Sequence, residues 1–230
     1  MEEQKPIYPM KDTVALVPAA GLGTRLGLGP KAFLKLGGVT LLRRVVMVLS
    51  ECVERILVAV PESYLEQAQR EVKEMANIYV GGATHHETFF KLFQLSHEKI
   101  VLHHHVARPF ASKALIHKIV MAMCKYEAVG SFISPQIPVG CVQGDFVTGS
   151  LSRMACFLPQ SPHAFSREVL EKAYESATQK GIKTQAPWEL VFLTESKIKI
   201  IKGEETNIKI TTPLDWEIAK KVIAPSLGWI

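Results

Sequence analysis

The stretch Val14-Ala15-Leu16-Val17-Pro18-Ala19-Ala20-Gly21-Leu22-Gly23-Thr24-Arg25-Leu26-Gly27-Leu28-Gly29-Pro30-Lys31 decides how the chain is read. Thr13 to Val17 is a continuous apolar run of β type. It breaks into small residues and glycines from Pro18 to Gly23, and Arg25 and Lys31 close the segment. Small residues let a backbone approach a ligand, and glycine tolerates positive φ. Successive N–H groups in such a turn form a concave anion site. Arg and Lys add fixed positive charge where a polyphosphate would lie. An ordinary βα turn with two solvated cations has the same composition, so the turn alone does not name a ligand. It is not a Walker loop, because the spacing to Lys31 is wrong and no Ser or Thr follows. Nor is it the dinucleotide fingerprint, whose third glycine is missing.

Working outward, residues 1–12 read as a polar tail and 13–230 as one domain. Thr40–Cys52 is apolar nearly all round apart from Arg43 and Arg44, a helix packed on a sheet. Arg55–Val60 is a continuous apolar strand, as a sheet covered on both faces requires. A helix over Glu62–Met75 and a strand over Ile78–Val80 follow. Thr84 and Glu87 form a capping-box pattern before a helix reaching about His97. Ile100–His103 and Val129–Ser134 are strands flanking a helix over Ser112–Tyr126. This alternation predicts an α/β fold with a doubly wound, mostly parallel sheet, whose ligand lies beyond the strand carboxyl ends. Residues 135–160, with Pro135, Pro138, Gly140, Gly144 and Gly149 among short apolar pieces, read as a small β arm inserted in the domain. Ser166 caps a helix that Gly181 stops, Lys197–Ile201 and Ile208–Thr211 are strands, and Pro213 with Asp215 opens the last helix.

Composition narrows the function classes. The chain has 230 residues, 47% of them hydrophobic, a length and make-up suited to one large α/β domain rather than to disorder. No apolar run is long enough to span a bilayer, and the first residues lack a signal peptide's basic and apolar regions. Cys52, Cys124, Cys141 and Cys156 are scattered, which predicts free thiols and a cytoplasmic location. The net charge of +5 fits nucleic acid or small phosphorylated substrates. Without a dense Lys/Arg run interleaved with aromatics, the small substrate is preferred and neither nucleic acid nor membrane is expected as a partner.

Five segments then carry a resemblance. Pro18 to Lys31 resembles P-A-A-G-x-G-x-R followed by P-K, and Gly81-Gly82-Ala83-Thr84-His85-His86-Glu87-Thr88 resembles G-G-x-x-R-x-x-S. His104-His105-Val106-Ala107-Arg108-Pro109-Phe110 resembles H-D-A-A-R-P-F. Ser161-Pro162-His163-Ala164-Phe165 resembles T-P-Q-x-F, and Asn207 to Asp215 matches N-I-K-[IV]-T-x-P-x-D. In this order they resemble the sugar-nucleotide and alditol-phosphate nucleotidyltransferases, and within these the methylerythritol phosphate cytidylyltransferases of isoprenoid synthesis. The resemblance implies a Rossmann-like, GT-A-like fold, CTP as donor, a small polyol phosphate as acceptor, and a homodimer whose arm embraces the second subunit.

It also implies roles. Arg25, Lys31 and Lys209 would be catalytic, binding the triphosphate and the reacting phosphate. Pro18, Ala19, Ala20, Gly21 and Gly23 would face the nucleotide, with Gly82, Ala83 and Thr88 against base and ribose. His105, Arg108, Arg153 and Ser161 would take the acceptor. Three departures stand out: His105 replaces the family's Asp, Thr184-Gln185-Ala186 replaces T-D-[DE], and Cys141-Val142 replaces the arm's D-T. His85 further stands for the Arg of the second motif. Imidazole suits Mg²⁺ poorly, so Mg²⁺ is expected to be held largely by the triphosphate, and protonated His105 to pair with a substrate phosphate. A second acceptor such as ribitol phosphate, or a weakly catalytic nucleotide-binding role, stays open on these residues. Six of the eight histidines lie between His85 and His105, but only His103 and His105 share a strand face. Two ligands from one strand do not make a metal site, so no protein-held metal is expected.

Overall fold

The computed structural model describes residues 10–182 and 186–229. In chain order, β1 (Met10–Pro18) is followed by a short hairpin of β2 (Lys35–Leu36) and β3 (Val39–Thr40). Next come α1 (Leu41–Ser50), β4 (Val53–Val60), α2 (Leu65–Val72), β5 (Asn77–Val80) and α3 (His85–Gln94). Then follow β6 (Ile100–His103), α4 (Lys113–Ala122), β7 (Ala128–Ile133), β8 (Val139–Gln143), β9 (Phe146–Leu151) and β10 (Leu158–Ser166). The chain continues through α5 (Arg167–Lys180), α6 (Pro187–Phe192), β11 (Lys199–Lys202), α7 (Pro213–Ile218) and α8 (Ala224–Ser226).

Among the described residues, seven strands form the central sheet in the order β11-β7-β10-β6-β1-β4-β5. All neighbouring pairs are parallel except those of β10, which is antiparallel to both β6 and β7. The alternation along β1 explains the double cover. Ala15 and Val17 join the apolar cluster containing α1 and α2 residues, while Val14 and Leu16 join the one containing Phe89 of α3 and Leu170 of α5. Both faces are thus buried over residues 14–17 of β1 and 56–60 of β4, which is why these stretches read as unbroken apolar runs. From β1 the chain winds to β4 and β5 on one side, then returns to β6 on the other. The crevice beyond the carboxyl ends of β1 and β6 is therefore the topological switch point.

The local signals read in the sequence set several boundaries. Thr84 Oγ1 accepts from the Glu87 N–H, and the Glu87 carboxylate accepts from the Ala83 N–H at 3.1 Å, one residue before the position a full capping box uses. Ser166 caps α5, and Gly181 ends it in the left-handed region at φ 64°. Thr212 and Asp215 form a complete capping box at α7, with Pro213 in its first turn.

Elsewhere the structure corrects the sequence reading. β1 begins at Met10, inside the expected tail, with residues 1–9 outside the described part. The helix expected to reach His97 ends at Gln94, where Ser96 Oγ bonds back to the Phe93 carbonyl. The arm expected over 135–160 is a two-stranded ribbon of β8 and β9 alone, because Leu158 already belongs to the central sheet. Ile208–Thr211 is not a strand: Ile210 N–H bonds the Ala107 carbonyl at 2.8 Å, so the segment crosses the loop after β6 instead of joining a sheet edge.

Candidate active site

The glycine-rich turn leaves β1 at Pro18 and folds over the crevice. Gly23 sits at φ 72°, and a Cβ there would run into the Gly29 carbonyl oxygen, so this crossing of the loop on itself requires glycine. The second loop leaves β5. A Cβ on Gly82 would lie 2.7 Å from the Glu87 Cβ. Thr88 is buried, and its hydroxyl accepts from the Gly82 N–H at 3.0 Å while donating to the Thr84 carbonyl at 2.7 Å. That hydroxyl shapes the loop whose other residues face the crevice.

A third loop leaves β6. His104 Nε2 lies 3.0 Å from the Arg108 carbonyl oxygen, and His105 N–H donates to Ser161 Oγ at 3.1 Å. Arg108 donates to the carbonyls of Asn207 and Pro159. Asn207, fully buried, donates to the Ser161 carbonyl at 2.8 Å. The segments around residues 105, 161 and 207, far apart in sequence, are thereby tied into one wall. Lys209 projects beside it, following Asn207 and Ile208.

These loops enclose a cavity of about 490 Å³. It is lined by Pro18, Ala19, Ala20, Gly21, Gly23, Arg25, Lys31, Gly82, Ala83, Thr88, His105, Arg108, Ser161 and Lys209. Of the residues singled out in the sequence, Arg153 alone lies elsewhere: it stands exposed in the turn after the β8–β9 ribbon and does not line the cavity of its own chain. Thr184 and Gln185 fall outside the described residues, and Ala186 caps α6 at the cavity's edge. Sequence reasoning missed His85, Gln160, His163, Trp188 and Glu189 as lining residues. Glu189 and Trp188 ride on α6, a short helix whose one sequence signal is Pro187 at its first position.

The electrostatics are one-sided. None of Arg25, Lys31, Arg108 and Lys209 forms an ion pair with a carboxylate among the described residues. Burial lowers the Lys31 ammonium from its ordinary 10.5, Arg25 lowers it further, and Asp215 opposes both. Lys209 is lowered by partial burial, then by Arg108, Lys31 and Arg25, although much of the residue remains exposed. Burial also brings the Arg108 guanidinium down to about 10. Four cations that raise one another's free energy around one crevice suit a polyanion.

Burial first, then His103, Lys209 and His85, push the His105 ring well below the ordinary 6.5, so it is neutral in the free protein at pH 7. A protonated His105 paired with substrate phosphate would therefore have to gain its proton as the anion binds.

The family model for 2-C-methyl-D-erythritol 4-phosphate cytidylyltransferase matches residues 13–224. The chain belongs to this family. The cytidylyltransferase of that name from Thermus thermophilus is 32% identical over 206 residues, covering 89% of this chain and 94% of its own. That of Rhodococcus opacus is 35% identical over 221 residues, covering 91% and 94%. The crystal structure of the Thermus thermophilus enzyme superposes with a TM-score of 0.78 at 29% identity, over 91% of this chain and 98% of that one. The synthase from Anaerococcus prevotii, at 23% identity and a TM-score of 0.79, shares the fold over 90% of this chain and 96% of that one. Membership makes the chain a nucleotidyltransferase, and the cavity at the switch point holds the family's motif residues. No helix among the described residues is long and apolar enough to cross a membrane.

Proposed function

We propose that the chain transfers CMP from CTP to 2-C-methyl-D-erythritol 4-phosphate and releases pyrophosphate. The observation that carries this reading is the convergence of Arg25, Lys31, Arg108 and Lys209, none of them ion-paired among the described residues, on the cavity built from the family's motifs. A phosphate oxygen of the acceptor attacks the α-phosphorus of CTP. The bond from that phosphorus to the bridging oxygen of the β-phosphate breaks, and pyrophosphate carries the electron pair away. Both partners are anions, so the protein's work is to neutralise charge and hold the attacking and leaving oxygens in line. Arg25, Lys31 and the backbone of Pro18 to Gly23 hold the triphosphate. Gly82 and Ala83, on the loop fixed by Thr88, meet the base and ribose. Lys209 bridges the α-phosphate and the acceptor phosphate, with Arg108 and Ser161 on the acceptor side.

Mg²⁺ has poor protein support here. It prefers oxygen ligands, and the lining offers it imidazoles at His85, His105 and His163, with Glu189 the one carboxylate among the described lining residues. Any Mg²⁺ would be held by the phosphates of CTP.

The arm supports a homodimer. Val142, Phe146 and Val147 are each more than 70% exposed on a two-stranded ribbon without a core of its own. Such a ribbon is marginal alone, and exposed apolar side chains on both its faces need a cover. A second copy is the occupant that the family resemblance implies, and it would let the partner's Arg153 approach the acceptor end of the cavity. Light scattering should give the mass of two chains; a monomer at micromolar concentration would contradict this.

The test of activity is a panel of four nucleoside triphosphates against 2-C-methyl-D-erythritol 4-phosphate and ribitol 5-phosphate, read as pyrophosphate release. Release should require CTP and the methylerythritol phosphate. Release with ribitol 5-phosphate alone would move the acceptor. CTP binding without release from any pair would overturn the catalytic reading.

A further inference from the structure

We propose that His85, His103 and His105 form a binding site for a borderline divalent transition metal of the Zn²⁺ type, with one coordination position open to the cavity. His85 is the first residue of α3, His103 ends β6, and His105 lies two residues beyond it. Each offers a ring nitrogen, and these three nitrogens lie within 4.8 Å of one another. The ring centroids are 5.4 Å apart for His85 and His103, 4.8 Å for His85 and His105, and 4.6 Å for His103 and His105. Three nitrogens at Zn–N distances of about 2.0–2.1 Å in a tetrahedral arrangement would be about 3.4 Å apart. Ring rotations of about an ångström close that gap, which side chains make on binding a metal.

The second observation is independent of spacing. His103 is fully buried, and neither of its ring nitrogens has a hydrogen-bond partner among the described residues. The two ring nitrogens of His85 are also buried and unpartnered among the described residues. Buried polar atoms are ordinarily satisfied, and each exception calls for an explanation. Orphaned imidazole nitrogens gathered around one point are explained by a ligand that accepts lone pairs. Hydrogen bonds between the rings would satisfy some of them, but none joins His85, His103 and His105.

The chemistry selects the metal. Neutral imidazole suits Zn²⁺, Co²⁺, Ni²⁺ or Cu²⁺ and not Mg²⁺. Three protein ligands with a fourth position open is the pattern of metal sites that bind a substrate or water. His85 and His105 line the cavity and His103 closes the site from beneath, so the open position faces the place where Arg108 and Lys209 await phosphate. A phosphate or hydroxyl oxygen is the class of ligand that would complete it. Lys209 is the cation that opposes a metal here, and a bound phosphate would offset that repulsion. Both His85 and His105 stand where the family motifs have Arg and Asp, so the two departures serve one site. His163 lies opposite His103 on β10, with ring centroids 6.3 Å apart, and is outside the three-ligand set.

The site is tested on the free protein, so the result stands apart from whether CTP is a substrate. Tag-free, metal-stripped protein is titrated with Co²⁺ and then with Zn²⁺ by calorimetry and visible absorption. The expected result is one Co²⁺ per chain, with the strong ligand-field bands of a four- or five-coordinate site, displaced by Zn²⁺. His85→Gln and His105→Asn should each weaken binding at least 10-fold, while Cys141→Ser leaves it unchanged. Absence of stoichiometric binding to the wild-type chain would overturn the proposal even if a variant failed to fold. Binding unaffected in both histidine variants, or a thiolate charge-transfer band, would also overturn it.

Discussion

Replacing Lys209 by alanine should lower kcat/KM for the transfer about 10²–10³-fold, the loss typical of removing one group that stabilises transition-state charge. The thermal melt of the free protein should stay the same or rise slightly. The reason is the company Lys209 keeps: Arg108, Lys31 and Arg25 all oppose its charge, and no carboxylate pairs with it among the described residues. Removing it relieves repulsion in the free protein and forfeits attraction only when phosphates are bound. A lysine that merely decorated the surface would leave kcat/KM unchanged, and one that supported the fold would lower the melt. The same lowered pKa values set the alkaline limb. Lys31 and Lys209 titrate below the ordinary 10.5 in the free protein, so they lose charge earlier than an isolated lysine as pH rises. The profile of kcat/KM should therefore fall off below pH 10.5. Bound triphosphate favours the charged form, so the limb seen in kcat should lie at higher pH.

Gly23→Ala should weaken CTP binding at least 10-fold with little change in global stability. Gly23 sits at φ 72° and packs its α-carbon against the Gly29 carbonyl. A methyl group there meets backbone rather than a flexible side chain, so the loop must move. That loop lies outside the sheet, with Gly21, Leu22, Thr24 and Arg25 exposed, so the displacement falls on the cavity wall and not on the core. Gly27→Ala is the control: its φ is also positive, at 74°, but none of the described residues lies within 4 Å of where its Cβ would go. Titration of CTP into the two variants should show a much larger loss for Gly23→Ala. Equal losses would mean that backbone conformation alone, and not the crossing at Gly29, matters.

The legible parts of the fold were those written in local chemistry. The apolar run ending at Pro18, the caps at Thr84 and Ser166, Pro213 at the start of α7, and the left-handed stop at Gly181 needed no tertiary knowledge. β10 was not legible, although it sits at the heart of the sheet between β6 and β7. It contains Pro159 and Pro162, and proline argues against a central strand because it cannot donate to the ladder. The structure accommodates both with an irregularity in the β10–β7 pairing between Pro159 and His163. The alternation of Ile208, Lys209 and Ile210 gave the right faces, Ile210 buried and Lys209 exposed, but the wrong element. An extended segment anchored by one backbone bond to Ala107 shows the same period as a strand.

The site divides in the same way. Residues in the loops after β1, β5 and β6 could be placed because strand ends in such a sheet converge. The histidine cluster could not: strand alternation puts His103 and His105 on one face, but only the packing of α3 against β1 and β4 brings His85 to them. Glu189 and Trp188 depended on α6, which folds against α5 and has little periodic signal in six residues.

A crystal structure of the protein with CTP decides whether the cavity at the β1–β6 switch point holds the nucleotide by its phosphates. The expected complex has the triphosphate against the Pro18–Arg25 loop and Lys31, the cytosine beside Gly82 and Ala83, and the α-phosphate within reach of Lys209. A nucleotide bound outside this cavity, or one with its phosphates turned away from Arg25 and Lys31, would contradict it.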